Sequence, residues 1–274
     1  MGILNVTPDS FSDGGSHRDP DTAIAAGLAM VGDGADIVDV GGESTRPGAH
    51  AVSTQEELER VLPVVAGLSN AGVTVSVDTS KAEVARQCIV AGAHIVNDVT
   101  ALSDPDMAGI CADAGVGVVL MHMPGTPRTM QDNQSYDDVT SQIAAFLQLR
   151  ASAAIDSGVD PRSIAVDPGF GFGKTVVHNL ELISRLDEIV ALGPPVVVGT
   201  SRKRFLGSVL AEVRGDTTPQ QRDAATLATI ALAVYKGAAI FRVHNVRSVV
   251  DVALTADAIV TVEGYEQEID RTRT

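Results

Sequence analysis

The chain has 274 residues, of which 45% are hydrophobic and 20% charged, a composition that fits one folded α/β domain. Its 35 acidic and 20 basic side chains leave a formal charge of −15, a field that repels nucleic acid and anionic lipid and excludes both as general partners. No apolar run approaches the roughly 18 residues that a bilayer span needs, and no basic and then apolar leader opens the chain.

Short β-branched runs recur, each followed by a helical segment. Strands are expected at Gly2–Val6, Asp36–Gly41, Val73–Asp78, His94–Asp98, Gly117–His122, Ile164–Asp167, Pro195–Gly199 and Ala239–His244. Near-continuous apolar strands of this kind suit a parallel sheet covered by helices. Asp19 with Pro20, and Asp104 with Pro105, read as N-cap and first helical residue. Ser53 with Glu56, and Ser80 with Glu83, read as capping boxes. Gly34, Gly72, Gly92, Gly115 and Gly158 stand where helices should stop. Eight such units in one chain predict a closed (β/α)8 TIM barrel, a single α/β domain over 1–262, with a polar tail over 263–274. Cys88 and Cys111 lack ligand spacing, so buried free thiols in a reducing cytoplasm are expected.

In such a barrel the loops that follow the strands converge on one rim, and the chemistry sits there. The strand ends offer Asn5, Asp39 and Glu43, Asp78, Asn97 and Asp98, His122, Asp167, Ser201 with Lys203, and Arg242 with His244. A lone Asp at a strand end is more often a helix cap than a catalyst, but eight polar strand ends exceed what capping needs. Phe11, Phe170, Phe172 and Phe205 lie in these loops, either plugging the barrel mouth or, for at least one of them, walling a flat aromatic ligand.

The Gly-Phe-Gly-Phe-Gly-Lys174-Thr run suggests a nucleotide-binding loop, but Pro168 occupies the place of the first required glycine and excludes it. Arg202 and Arg204 read as a solvated face. For Arg46, Lys203 and Arg242 a bound phosphate is the better reading. Asn5 and the loop carboxylates are expected to hold a Mg²⁺ bridging such phosphates. Asp78 and Asp167, if buried, need donors, and an amino-pyrimidine edge of the pterin or guanine type supplies them.

The stretches Met1–Gly15, Asp39–Gly48, His122–Gln131, Asp167–Lys174, Ser201–Gly207 and Arg242–His244 together resemble the dihydropteroate synthase family, in the family's order from the first residue to about residue 260. Several residues usually precede the first-strand motif in the family. Here Met1 lies inside it, a departure expected to bear on stability rather than chemistry.

The resemblance implies a transferase of folate biosynthesis that joins 4-aminobenzoate to 6-hydroxymethyl-7,8-dihydropterin diphosphate and releases diphosphate with Mg²⁺. It implies that Asp78, Asn97, Asp167 and Lys203 hold the pterin, with Arg242 on its face. Asn5, Thr45, Arg46, Arg242 and His244 would hold the diphosphate, Asn5 also serving Mg²⁺. Phe11, Pro47, Phe172, Lys203 and Ser201 would form the aminobenzoate pocket, where sulfonamides compete. Asp78, Arg46, Lys203, Arg242 and His244 are the residues expected to carry catalysis, by a dissociative route. The loop after the first strand, with Gly14 and Gly15 as hinges, is expected to order around diphosphate and Mg²⁺. The alanine- and valine-rich last helices suggest a homodimer. A pterin-dependent methyltransferase domain should lack the Thr7–Gly15 and Ser201–Gly207 motifs. A non-catalytic pterin-binding paralogue should have lost matched positions, and none is lost.

Overall fold

The computed structural model describes residues 1–7, 20–45, 51–132 and 134–262. In chain order it comprises β1 (Gly2–Asn5), α1 (Pro20–Gly32), β2 (Ile37–Gly41), α2 (Thr54–Asn70), β3 (Thr74–Asp78), α3 (Ala82–Val90) and β4 (Ile95–Asp98). There follow α4 (Met107–Ala114), β5 (Gly117–Met121), α5 (Val139–Asp156), β6 (Ile164–Asp167), α6 (Val176–Ser184) and α7 (Leu186–Val190). The chain continues with β7 (Val197–Val198), α8 (Arg204–Arg214), α9 (Asp223–Tyr235), β8 (Ile240–Phe241) and α10 (Val246–Val260).

Strands β1 to β6 pair in sequence order and in parallel, and β7 pairs with β8. Single parallel bridges, Val166 to Val196 and Gly2 to Val243, join the two sheets into the closed barrel that the repeat count predicts. At the second seam Ile3 N donates to Val243 O at 2.9 Å and Val243 N to Met1 O at 3.0 Å.

Side chains alternate along each strand, and the inward set fills the barrel. Ile95, Val119, Ala165, Val197 and Ile240 pack one side of that interior. Outside, Val38, Val40, Val75 and Val77 meet the Val61, Val64, Val65 and Leu68 face of α2. Full burial of each such side chain contributes about 1.5–3 kcal/mol. Among the described residues no helix is long and apolar enough to cross a membrane.

The five glycines expected to end helices all take positive φ, from 65° at Gly115 to 104° at Gly92. Ser53 caps α2 by accepting from Glu56 N at 3.2 Å. Two expected starts are corrected. Asp104 and Pro105 do not open α4, which begins at Met107. Asp104 Oδ2 instead accepts from Ala82 N at 3.1 Å and so serves the first turn of α3. The N-cap position of α3 is Lys81, and no side-chain cap from the Ser80–Glu83 pair forms. Asp19, the loop hinges Gly14 and Gly15, and the 263–274 tail lie outside the described residues.

A cavity of about 320 Å³ opens at the other end of the barrel, between α10 and the starts of β2 and β8. Its lining is mainly apolar, with Ala35, Phe241, Val246 and Val250. The polar strand ends point the opposite way.

Candidate active site

Parallel register sets the ends of the first four strands side by side. Asn5 lies beside Gly41, Gly41 beside Asp78, and Asp78 beside Asn97. Gly41 matters because a Cβ there would come within 3.6 Å of Asp78 Oδ2 and 3.8 Å of Asn5 Oδ1, filling the space between them.

Arg242, one residue past β8, reaches across the mouth. Its Nε donates to Asp39 Oδ2 and its Nη2 to Asp78 Oδ2, both at 2.6 Å. Asn97 Nδ2 donates to the same Asp39 oxygen at 3.1 Å. Asp39 is fully buried, and among the described residues its Oδ1 has no hydrogen-bond partner, as is true of Ser76 Oγ, its register neighbour on β3. Burial raises the Asp78 carboxyl to about 7, Arg242 pulling it down and Asp39 pushing it up. Arg242 is held above its usual value by the carboxylates, Asp39 foremost, against its own burial.

Asp167 ends β6 and accepts from Gly169 N at 2.7 Å. Burial raises its carboxyl, with Lys203 the main opposing charge. Lys203 Nζ donates to Phe170 O and sits 4.5 Å above the Phe172 ring centroid. Burial lowers the Lys203 ammonium to about 8, although Asp167 works against the shift. Ser201 Oγ lies 2.9 Å from His244 Nδ1 and accepts from His244 N at 3.1 Å, which ties the loop after β7 to the end of β8.

Asp78, Asn97, Asp167, Lys203, Arg242, Ser201 and His244 therefore stand at one rim, with Asn5 and the half-buried Phe172 and Thr45. Phe11, Arg46 and Pro47 lie outside the described residues.

Other expectations change. Phe170 is fully buried and Phe205 nearly so, both packed in the outer core, so neither walls a ligand and only Phe172 of the described loop phenylalanines remains at the mouth. Arg202 is not a solvated charge. Its Nε and Nη2 pair with the two oxygens of Asp223 at 2.7 and 2.9 Å. Asp98 shapes its own loop, accepting from Thr100 N at 2.7 Å and Leu102 N at 2.9 Å.

Three groups carry more than the sequence reading gave them. Asp39 is the partner of Arg242, and its signal was a carboxylate in the middle of a valine-rich strand. Lys81 pairs with Glu43 and Glu57, and Glu43 Oε1 also accepts from Val52 N at 3.2 Å, pinning both ends of the loop after β2. Nothing local in the sequence marks that pairing, because its members come from three segments. Lys174 turns inward to His122.

The family model described as pterin binding enzyme matches residues 1–244. The chain belongs to the dihydropteroate synthase family of pterin-binding enzymes. It is 49% identical over 258 residues to the dihydropteroate synthase of Mycobacterium leprae, covering 92% of this chain and 89% of that protein. The Xanthomonas albilineans dihydropteroate synthase structure with 4-aminobenzoic acid superposes with a TM-score of 0.87 at 46% identity, covering 95% of this chain and 92% of that one. The Yersinia pestis dihydropteroate synthase in a sulfonamide drug complex gives 0.88 at 44%, covering 94% and 93%. Membership in the family makes the chain a transferase of folate biosynthesis.

Proposed function

We propose that this chain condenses 6-hydroxymethyl-7,8-dihydropterin diphosphate with 4-aminobenzoate, giving 7,8-dihydropteroate and diphosphate, at the rim built by β3, β4, β6 and β8. The observation that carries the reading is the set of buried carboxylates, Asp78 and Asp167, with the Asn97 amide beside them and two cations, Arg242 and Lys203, spanning the mouth. Carboxylates buried this deeply need N–H donors, and a pterin edge offers several in one plane.

Breaking the C–O bond leaves positive charge on the pterin methylene and negative charge on the diphosphate. Asp78 and Asp167, aimed at the ring N–H groups, stabilise the first. Arg242 and His244, with Arg46 and Thr45 from the loop after β2, take the second. Asp78, Asp167 and Arg242 are positioned before reaction, so little reorganisation of these groups accompanies bond cleavage. The aniline nitrogen then attacks the electron-poor methylene, needing no strong base. Phe172, Ser201 and the stem of Lys203, with Phe11 and Pro47, wall the aminobenzoate, and sulfonamides compete there.

A Mg²⁺ ion fits the donor set. Mg²⁺ in phosphate-transfer sites takes one or two protein oxygens and completes its shell with water and phosphate. Asn5 offers one such oxygen beside the space that Gly41 leaves open, and no cluster of three or more His, Cys, Asp or Glu side chains occurs among the described residues to form an all-protein cage. When bound, the ion would neutralise the leaving diphosphate.

A homodimer and a cytoplasmic setting complete the proposal. The apolar Leu232 and Tyr235 of α9 and Leu254 and Ile259 of α10 stand exposed, which supports the first. Both cysteines are free, which supports the second.

The test is diphosphate release from the pterin diphosphate with Mg²⁺, with and without 4-aminobenzoate. Release coupled to dihydropteroate formation is the expected result. Pterin binding without turnover would replace the synthase with a non-catalytic pterin-binding protein.

A further inference from the structure

The loop after β6 contains a cation that the mechanism above does not use. Lys174 is 5% exposed, and its Nζ meets His122 Nδ1 at 3.0 Å, Gly169 O at 2.9 Å and Phe172 O at 3.0 Å, with His122 O farther off at 3.5 Å. The amine donates to the Gly169 and Phe172 carbonyls, and its third contact joins it to the His122 ring: a charged ammonium donates to Nδ1, and a neutral amine accepts from Nδ1–H.

Burial pushes the Lys174 ammonium well below its ordinary value, with Lys203 adding to the shift and Asp167 opposing it. His122 is pushed down to about 3, by burial first and Lys174 second, which leaves the imidazole neutral. The His122 ring is itself fixed, edge-on to Phe146 with centroids 4.9 Å apart.

The backbone around the lysine leaves little room. Gly169 has φ of 71°, and a Cβ there would fall 1.9 Å from His122 O. The turn over 169–172 thus presses on the end of β5, with the Lys174 amine bonded to both sides of the contact. The same turn supplies the Phe170 carbonyl to Lys203 and the Phe172 ring beneath it.

We propose that Lys174 is a positioning residue for the second substrate: its buried amine ties the end of β5 to the 169–172 turn and so fixes the Phe172 wall and the Phe170 acceptor against Lys203. The proposal rests on the aminobenzoate assignment made above. It gives the Gly-Lys motif, excluded as a nucleotide loop, a role that faces inward rather than toward an anion. Asp167 accepts from Gly169 N through a contact that does not involve the lysine, so removing Lys174 is expected to disturb the pterin side of the site less than the aminobenzoate side.

Lys174→Met keeps the buried stem and removes every N–H. In steady-state diphosphate release, with each substrate varied against saturating partner, KM for 4-aminobenzoate is expected to rise about tenfold or more while KM for the pterin diphosphate and kcat stay within about threefold. Amide exchange over 169–173 should quicken, with β6 still protected. Wild-type turnover combined with an unchanged aminobenzoate KM in the variant would overturn this inference alone, as would equal rises in both KM values, which mark a general structural role. No turnover by the wild-type chain would overturn the substrate assignment and this inference with it. Should Lys174→Met fail to fold, His122→Leu removes one acceptor, keeps the lysine and must show the same division between the two KM values.

Discussion

Asp39 and Asp78 share one guanidinium. Arg242 Nε serves the first and Nη2 the second, each at 2.6 Å, with Asp39 a full layer deeper in the barrel. Two buried carboxylates share one cation, and burial together with the Asp39 charge pushes the Asp78 carboxyl up to about 7 against the pull of Arg242.

Removing the deeper charge should therefore make Asp78 more acidic. In Asp39→Asn the repulsion that raises the Asp78 carboxyl is gone while Arg242 remains, so the acid limb of kcat/KM for the pterin diphosphate is expected to move to lower pH. A pH profile between about 5 and 9 reads this directly, and an unmoved limb would detach the two carboxylates from each other.

Asp78→Asn removes the charge closest to the developing cation. The expected loss in kcat is about 100-fold or more, the scale of one preorganised electrostatic partner. Turnover at the wild-type rate would take Asp78 out of the mechanism.

Asp78 and Lys203 should leave opposite marks on the pH dependence of stability in the ligand-free protein. Between its ordinary value of 3.8 and the folded value of about 7, Asp78 holds its proton more tightly in the folded state, so rising pH over that window favours unfolding. Lys203 acts oppositely: between about 8 and its ordinary 10.5 the unfolded chain binds the proton better, so rising pH favours folding. His122, held at about 3 against its ordinary 6.5, favours folding as pH rises through the acidic window and offsets Asp78 there. The Asp78 contribution is therefore read as a difference: the urea midpoint of Asp78→Asn should gain on that of the wild type as pH rises from about 4 to 7, and a constant gap would contradict it.

Both thiols should be silent in the native protein. Cys88 and Cys111 are fully buried, and burial pushes each up to about 12. A thiolate-specific reagent at pH 8 should find no cysteine in native buffer and two in denaturant. Modification of folded protein at either position would contradict the packing of α3 and α4.

Repetition made the fold legible before any coordinates. Eight β-branched runs with helix starts and glycine stops between them specify a closed barrel, and the rim residues follow from strand ends. What escaped was tertiary. Asp104 looks like a helix cap beside Pro105, yet its oxygen is used by the neighbouring helix α3, because adjacent βα units bring those two turns together. Phe170 and Phe172 both stand between glycines, and the expected ligand wall needs only one of them; the turn points the Phe170 ring into the core and leaves Phe172 at the mouth. Asp39 was visible as a charge in an apolar strand, whereas its partner stands about 200 residues later and only the closed ring brings the two together. Within the site, residue types at strand ends could be read from local order, and the pairing among them could not.

The way the ring closes has a kinetic consequence. Strands β7 and β8 are two residues long and meet the rest of the barrel through single bridges, whereas β1 to β6 form continuous ladders. The amides of residues 196–198 and 240–243 should therefore exchange with solvent through a lower-energy opening than those of β2 to β5. Lys203, Arg242 and His244 sit on the two loops that extend from this weak seam. Arg242 already ties one of those loops to Asp39 and Asp78 on the stiff wall; a bound pterin diphosphate would add a further link between both loops and that wall, slowing exchange at the seam far more than elsewhere.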